Sequence, residues 1–488
     1  MKFTIAAACA AIWSSAAFAQ ANAQNDPQQS SQNTGASAAS DGVAIQTTPR
    51  DDAQQPVPRA VRVGDPTVAP RPEGNPALAT STMMPPPSNN FDGLGLRGWD
   101  TPFPPASDSL IGDAGGIRTK LADYGIGFLG YSLNSFSYNL RGDNTPGANY
   151  NGRRPTYYEG SSGLFITYDA SRIGLKGGQF QFQLNAQTNA ANDLNGPKSF
   201  GVGGFAYFQP FLDDMFELKV GYLLLSNEFV GANVAGSFAN GSLGPQAALV
   251  GVTGAAFPGL STPGITFRYN APNHFYYKAA VARSIPKQST QWVVDNNSSG
   301  LRFSFPGARA LVINEFGYNR PSAPGQNNLW FRAGGIYNWT QYTNFQTGGT
   351  SNNKGFYAGV DYQLTQLEPS MPYRGVYAGL SFTYAPPNTN LYSRYLEARV
   401  YGIGIIPGRP SDLASLVLTY NGFSRSALKT YYPGLDTAND TTSITASYAY
   451  RVLPGAFIQL GLGVVKNVEI YPKVDWALQA YLGINLIF

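Results

Sequence analysis

The final stretch of the chain, DWALQAYLGINLIF at residues 475–488, places an apolar side chain at every second position from Trp476 to Leu486. The positions between them include Gln479 and Asn485. This alternation is typical of a strand with two different faces. Soluble strands usually run for about five or six residues, whereas about 9 to 11 tilted residues cross a bilayer within a closed barrel. The stretch predicts a transmembrane strand, with the last strand of a soluble sandwich as the alternative.

The composition of the 488-residue chain also favours strands. Aromatic residues make up 13% of it and glycines number 55, a mixture suited to strands, tight turns and interfacial girdles. No run of about 18 apolar residues follows the N-terminal region, which excludes a bundle of transmembrane helices. The net charge of +4 is small, and no basic block is interleaved with aromatic residues, so we expect no nucleic-acid partner.

The N-terminal region has two predicted parts. Lys2, the apolar stretch after it and small-residue cleavage patterns predict a signal peptide over residues 1–23. It contains the only cysteine, Cys9, so the mature chain is expected to have no disulfide and no cysteine-ligated metal. Residues 24–95 are rich in Gln, Asn, Ala, Ser and Pro and predict a disordered tail. The tail is either a periplasmic tether that binds a partner or a spacer.

Alternating patterns recur through residues 96–488, separated by Gly, Asn, Pro and Asp clusters. The clearest is at residues 179–187, where apolar residues alternate with an unbroken row of Gln and Asn. Such an amide row cannot form a packed core without partners, so we expect it to face water. At roughly 24 residues per strand and loop, the pattern predicts an all-β, transmembrane outer-membrane barrel of about 16 antiparallel strands around an aqueous channel. A short N-terminal helix is expected before the first strand.

The water-facing phase of the predicted strands mixes amides, aromatic rings and charges of both signs. Aromatic rings stack on sugar faces and polar groups bind hydroxyls, so the mixture suits neutral polyols, whereas a field of one sign favours ions. The alternative is that these charges merely hydrate an unselective pore. The predicted pore-lining, substrate-binding residues are Glu217, Lys219, Trp330, Arg332, Asp361, Gln363, Glu397, Arg399 and Tyr401.

Four local motifs occur in order along the chain: LIGDAGGIRTKL (110–121) followed by YGI (124–126), LKVG (218–221) leading to NEF (227–229), GFYAGVDYQ (355–363) and GIIPGRPSD (404–412). Together they resemble the motifs of the carbohydrate-selective porin (OprB) family. The resemblance implies a barrel of about 16 strands in the outer membrane of a Gram-negative bacterium. It further implies facilitated diffusion of monosaccharides such as glucose through a constriction lined by charged and aromatic side chains. The long tail before Asn90 departs from the family pattern.

Two of these motifs carry structural predictions of their own. Asp113 is expected to cap a short helix in which Ile117 and Leu121 form one face while Arg118 points elsewhere. This helix either seals the periplasmic mouth or lies on the surface without a gating role. In the last motif, Arg409 and Asp412 are expected to form a structural clamp within the turn at residues 404–412.

Other functional classes fit the residues less well. An enzyme embedded in a barrel needs a base beside a nucleophile, but the only histidine, His274, begins a strand, and no Gly-x-Ser-x-Gly motif occurs. We therefore expect no catalytic residue, no cofactor and no metal. A barrel for polysaccharide export or general solute diffusion stays open as an alternative. The expected partners are outer-membrane lipid and small carbohydrate solutes, and the sequence leaves open a homo-oligomer and a periplasmic partner of the tail.

Overall fold

The structure is a computed structural model. It describes residues 89–99, 104–141, 156–189, 199–229, 253–255, 261–288, 290–467, 470–471, 473 and 475–488. The predicted signal peptide and the predicted tail up to residue 88 lie outside the described residues. Within the described ranges, no helix has both the length and the apolar character needed to span a membrane.

The described residues form a closed barrel of sixteen strands, in which each strand pairs antiparallel with its sequence neighbours and β1 pairs with β16. The strands are β1 (Ile126–Arg141), β2 (Thr156–Asp169), β3 (Gln179–Asn189), β4 (Ser199–Phe211), β5 (Phe216–Leu223), β6 (Thr262–Asn270), β7 (Phe275–Arg283), β8 (Ala310–Arg320), β9 (Leu329–Thr343), β10 (Thr350–Gln363), β11 (Gly375–Tyr384), β12 (Tyr392–Ile403), β13 (Leu413–Phe423), β14 (Asp440–Leu453), β15 (Ala456–Lys466) and β16 (Trp476–Ile487). This architecture confirms the predicted fold class and strand number.

Short helices occupy some of the connections. The α-helices in the described ranges are α1 (Ile117–Asp123), α2 (Thr290–Asp295) and α3 (Arg425–Tyr431). Single 3₁₀ turns cover Asp92–Leu94, Ala106–Asp108, Ala170–Ile173 and Leu225–Asn227.

The two faces of the strands differ as the alternation predicts. On β15, Ile458, Leu460 and Leu462 are exposed, whereas Gln459, which lies between Ile458 and Leu460, is buried. On β16, Gln479 and Asn485 are likewise buried on the inner face. A strand with apolar side chains outside and polar side chains inside matches a barrel that is surrounded by hydrocarbon and encloses water.

The barrel has two different rims. The end of β16 and the start of β1 meet at one of them, which we call the terminal rim: the Phe488 amide donates to the Gly130 carbonyl at 2.9 Å. Connections at this rim are short, such as residues 212–215 and 454–455. Connections at the opposite, loop rim are longer on average, and the longest is residues 224–261. Short turns face the periplasm and long loops face outward in such barrels, so the terminal rim corresponds to the periplasmic side.

Helix α1 precedes β1 and differs from the predicted amphipathic helix. Asp113 does bind its first turn, accepting hydrogen bonds from the Thr119 amide at 2.8 Å and the Thr119 hydroxyl at 2.9 Å. The predicted apolar face is wrong, because Ile117 is 54% exposed and Arg118 only 2% exposed. Arg118 is buried because its guanidinium bonds to groups of the preceding segment, including the Ser109 hydroxyl at 2.8 Å. Burial lowers the pKa of Arg118.

The predicted clamp in the 404–412 turn is confirmed. The Arg409 guanidinium donates to both carboxylate oxygens of Asp412, at 2.8 and 2.9 Å. The Tyr448 hydroxyl and the Arg451 amide of β14 donate to the same carboxylate, which ties the turn to the neighbouring strand. Burial raises the pKa of Asp412, but the hydrogen bonds from Arg409 and Tyr448 outweigh it and hold that pKa below its usual range.

Candidate functional site

The predicted pore-lining residues lie on the inner faces of β5, β9, β10 and β12. Lys219, Arg332, Asp361, Gln363, Glu397, Arg399 and Tyr401 are buried, and Glu217 and Trp330 are half-buried. Apolar residues of the opposite phase on the same strands, such as Val220, Phe331 and Val400, are exposed. The strands therefore aim the whole predicted set into the barrel.

Arg399 on β12 makes the most contacts of this set. Its guanidinium donates to both carboxylate oxygens of Asp361, from Nε at 2.9 Å and from Nη2 at 2.6 Å. It also donates to Glu397 Oε1 at 2.9 Å and to the Ser381 hydroxyl at 2.7 Å. Arg332 on β9 binds Asp361 from the other side at 3.1 Å. One carboxylate on β10 thus joins guanidinium groups from strands on both sides.

Glycines on the inner wall make these contacts between distant strands geometrically feasible. The register places Gly379 of β11 between Asp361 of β10 and Arg399 of β12. A Cβ atom on Gly379 would lie 2.5 Å from Arg399 Nε and 2.6 Å from Asp361 Oδ1, so any other residue there would occupy the space of the ion pair. Gly334 on β9 likewise leaves space for a neighbouring side chain, because an added Cβ there would meet the Tyr357 ring. Long side chains can therefore lie flat across a neighbouring strand.

A second group of charges continues around the wall from β5 to β10. Glu315 on β8 forms an ion pair with Lys278 at 2.9 Å and accepts hydrogen bonds from the Tyr276 and Tyr357 hydroxyls, each at 2.7 Å. Lys278 also donates to the carbonyl oxygen of Glu228. Sequence reasoning missed these residues as site residues, although Tyr276 and Lys278 share one phase of the predicted strand at residues 275–281.

Lys219 extends the second group, and Trp330 connects that group to Arg332. Lys219 forms an ion pair with the Glu228 carboxylate at 2.9 Å. The Trp330 indole N–H donates to the Tyr276 hydroxyl at 3.0 Å, and the Arg332 guanidinium lies 3.9 Å from the Trp330 ring centroid. We call the buried charged set the paired-charge belt; its members are Lys219, Glu228, Lys278, Glu315, Arg332, Asp361, Glu397 and Arg399.

The remaining predicted residues occupy different places along the pore. Tyr401 donates to Asp361 Oδ1 at 3.1 Å beside the belt. Glu217 accepts a hydrogen bond from the Asn270 side chain at 2.8 Å. Gln363 lies at the terminal rim, where its amide accepts from the Asn328 N–H at 3.0 Å and donates to the carbonyl of a neighbouring turn. Gln363 therefore holds turns together, Glu217 lies near the same rim at the start of β5, and Tyr401 is buried against the belt.

The amide row points inward, but it binds the chain itself. Gln179, Gln181, Gln183 and Asn185 are buried on the inner face of β3, on the side opposite to the phenylalanines. The Gln179 amide donates to the Gly95 carbonyl at 2.9 Å, and the Gln181 amide donates to the Arg97 carbonyl at 2.8 Å. An amide can satisfy backbone groups that would otherwise lose their hydrogen bonds to water. The row is a docking surface for backbone.

The segment that docks there, residues 91–99, we call the inner segment. Composition places part of it in the predicted tail, because composition carries no information about a surface elsewhere in the chain. The Gly98 carbonyl accepts from Lys219 of the belt at 3.2 Å. The Trp99 ring packs edge-on against Phe165 of β2 with a centroid separation of 5.4 Å. The inner segment therefore runs along the lumen wall from the amide row to the belt.

The residues considered for enzymatic or metal chemistry lie elsewhere. His274 lies in the turn between β6 and β7 with a φ of 71°, and its ring packs edge-on against Tyr318 at 5.9 Å. The described part of the chain contains no group of three or more His, Cys, Asp or Glu residues that could hold a metal ion.

Comparison with known proteins places this geometry in a family. Residues 203–484 match the family described as "Carbohydrate-selective porin, OprB family". The high-pH structure of Pseudomonas putida OprB superposes with a TM-score of 0.64 at 17% sequence identity, covering 81% of this chain and 99% of that chain. The low-pH structure of Pseudomonas putida OprB gives a TM-score of 0.51 at 13% identity, covering 78% and 99%. These likenesses show the fold.

No curated protein sequence matches the chain. The family match nevertheless covers more than half of the chain and extends from β4 to β16. It also includes every residue of the paired-charge belt. The chain belongs to the carbohydrate-selective porin (OprB) family.

Proposed function

We propose that this outer-membrane porin passes neutral carbohydrates by facilitated diffusion, with the paired-charge belt as the buried support for half-buried side chains, such as Trp330, that solutes meet. The observation that carries the proposal is charge cancellation. The belt contains four cationic and four anionic side chains, and each belongs to an ion pair of 2.6 to 3.1 Å. A wall whose charges cancel in pairs has no field of one sign that would favour an ion over a neutral solute.

Within this wall we assign direct solute contact to Trp330. It is half-buried, whereas Arg399 and Glu397 of the belt are almost wholly covered. Its indole is fixed by Tyr276 and by the Arg332 guanidinium, so the ring is held in one orientation. Aromatic rings offer an apolar face to a sugar ring while the polar neighbours bind hydroxyls. Arg399 and Glu397 act as positioning residues, because they hold Asp361 and through it Arg332.

The test is conductance of the porin in a planar bilayer with graded glucose. Loss of one aromatic stacking contact of about 0.5–1.5 kcal/mol should raise the half-blocking glucose concentration in Trp330→Ala roughly two- to twelvefold. Trp339 lies on the outer face of the same strand, so Trp339→Ala is the matched control and should leave block unchanged. Unchanged glucose block in Trp330→Ala, at normal conductance, would remove this assignment. Absence of any glucose block in the native porin would favour general solute diffusion or export.

The role of the N-terminal tail is a separate proposal. The Asn90 side chain donates to Asp123 at the end of α1, which brings the inner segment in from the terminal rim. This supports a periplasmic position for the tail, which we propose to be a spacer. Deletion of residues 24–88 leaves the contacts of the inner segment intact, and glucose uptake should be unchanged. Loss of uptake through a normally assembled barrel would instead indicate a functional tether or a periplasmic partner.

A further inference from the structure

A second candidate site lies outside the lumen, on the outer surface near the loop rim. It is a cavity of about 460 Å³ between β12, β13, β14 and the loops that join their neighbours. Its lining includes Arg394, Tyr420, Gly422, Arg425 and Asp440. None of these residues belongs to the paired-charge belt or contacts the inner segment, so the carbohydrate pathway does not account for the cavity.

The cavity opens towards the lipid side of the barrel. Arg394 shares the exposed phase of β12 with Leu396, and Tyr420 shares the exposed phase of β13 with Leu418. In both strands the polar residue lies one step nearer to the loop rim than the leucine. Tyr384, opposite Arg394 on β11, is also exposed. Exposed tyrosines above an apolar band mark the level of the lipid headgroups.

A glycine allows Tyr420 to lie between two charged side chains of the lining. The register aligns Arg394 of β12, Gly422 of β13 and Asp440 of β14 in one row. Adjacent strands are about 4.7–4.9 Å apart, so the side chains of Arg394 and Asp440 start roughly 10 Å apart. A Cβ atom on Gly422 would lie 3.1 Å from the Tyr420 hydroxyl. The Tyr420 phenol therefore lies over Gly422, where it lines the cavity, and a larger residue at 422 would push this ring into the cavity.

The net charge of the lining is positive. Arg394 and Arg425 are exposed, and neither forms an ion pair within 4.0 Å in the described part of the chain. Asp440 is the one carboxylate among the lining residues, so two guanidinium groups face one acid. This contrasts with the belt, where every charge has a partner. Unpaired guanidinium groups at headgroup level are suited to bidentate binding of a phosphate.

We propose that this cavity binds a phosphate carried by the headgroup of an outer-leaflet glycolipid. Arg394 and Arg425 donate to the phosphate oxygens, and Asp440 and the Tyr420 hydroxyl bind hydroxyls of the attached sugar. The acyl chains of the same lipid extend from the cavity along Leu396 and Leu418. A lipid source is favoured over free phosphate because the cavity lies directly above this apolar surface.

The test measures lipid binding to the purified full-length porin by native mass spectrometry. The probes are lipid A with its phosphates, enzymatically dephosphorylated lipid A and inorganic phosphate. We expect Arg394→Gln combined with Arg425→Gln to lower retention of phosphorylated lipid A about tenfold. Gly422→Leu should lower it as well, because the added side chain pushes the Tyr420 ring into the cavity. Lys466→Gln removes an exposed outer cation at the same rim, on β15, and should leave retention unchanged.

The remaining arms separate the outcomes. Dephosphorylated lipid A should bind the native porin and the double variant equally. Normal heat-modifiable mobility of the double variant shows that its barrel has formed. Equal retention of phosphorylated lipid A by the native porin and the folded double variant would overturn the proposal. So would binding of inorganic phosphate, lost in the double variant, without selective retention of the phosphorylated lipid.

Discussion

The inner wall of β5–β12 carries the paired-charge belt, whereas the buried polar side chains described on the inner wall of the remaining strands are amides and hydroxyls. We call these the charged half and the neutral half. The neutral set includes Ser161, Thr167, Gln179, Gln181, Gln183, Asn185, Ser415, Thr419, Asn421, Ser443, Thr445, Ser447, Gln459, Gln479 and Asn485. Burying an unpaired charge costs several kcal/mol, whereas a lost neutral hydrogen bond costs about 1 kcal/mol. The two halves therefore face different constraints.

The difference shows in how far each interaction reaches. In the neutral half, contacts join adjacent strands, as between Thr419 and Ser443 at 2.6 Å on β13 and β14. In the charged half, Arg399 reaches Asp361 across an intervening strand. The charged half is consequently an interlocked unit, and the neutral half is a set of separable pairs that can also bind the inner segment.

The largest expected effect comes from breaking the interlocked unit. Arg399→Leu leaves the carboxylates of Asp361 and Glu397 without their shared partner and should lower the free energy of unfolding by about 3–5 kcal/mol. Thr419→Val in the neutral half should cost about 1 kcal/mol. Urea unfolding in detergent, followed by tryptophan fluorescence, measures both. Equal losses in the two variants would show that the halves do not differ in this way.

A smaller effect is expected from the glycine that allows the reach. Gly379→Ala places a Cβ atom in the space of the Arg399–Asp361 pair and should cost about 1–3 kcal/mol through overpacking. Gly335 on β9 is the control, because its Cβ would meet nothing closer than a carbonyl oxygen at 3.7 Å. Gly335→Ala should be neutral in the same unfolding measurement. A neutral Gly379→Ala would mean that the pair can rearrange.

The neutral half is tested through the inner segment. Replacing Gln179 and Gln181 by leucine removes two amide contacts of about 1 kcal/mol each, and trypsin cleavage after Arg97 should accelerate roughly tenfold or more. Gln459→Leu changes a buried amide of the same half on β15, which hydrogen-bonds within its own pair of strands. Its cleavage rate should match the native porin. Equal rates in all three proteins would mean that the amide row does not hold the segment.

The smallest effect concerns a charge pair outside both halves, the Asp412 clamp at the terminal rim. Its folded-state pKa is depressed, so its stabilisation is present above the unfolded pKa of about 3.9 and is lost as pH falls through the lower folded value. The stability advantage of the native porin over Asp412→Asn should therefore shrink between pH 5 and pH 2, roughly the range of this titration. An advantage that is constant over this range would contradict the role of the carboxylate.

Sequence reasoning succeeded for features that depend on neighbouring residues and failed for features that depend on residues distant in the chain. Period-two alternation predicts the strands, their approximate number and the inward phase of Arg332 and Asp361, because the pleat turns alternate residues to opposite faces. It missed Glu315 as a site residue, since its role depends on tyrosines from β7 and β10. It also misjudged Arg118, whose burial depends on carbonyl groups of another segment rather than on helical periodicity.

Local alternation was enough to establish a membrane barrel with a polar interior, because each strand must satisfy hydrocarbon on one side and water on the other. The pairing of Arg399 with Asp361 and the docking of residues 91–99 on the amide row required the closed sheet. Both depend on register between strands that are distant in the chain, and on glycines whose value lies in the space they leave. Such space exists only after the neighbouring strands have taken their places.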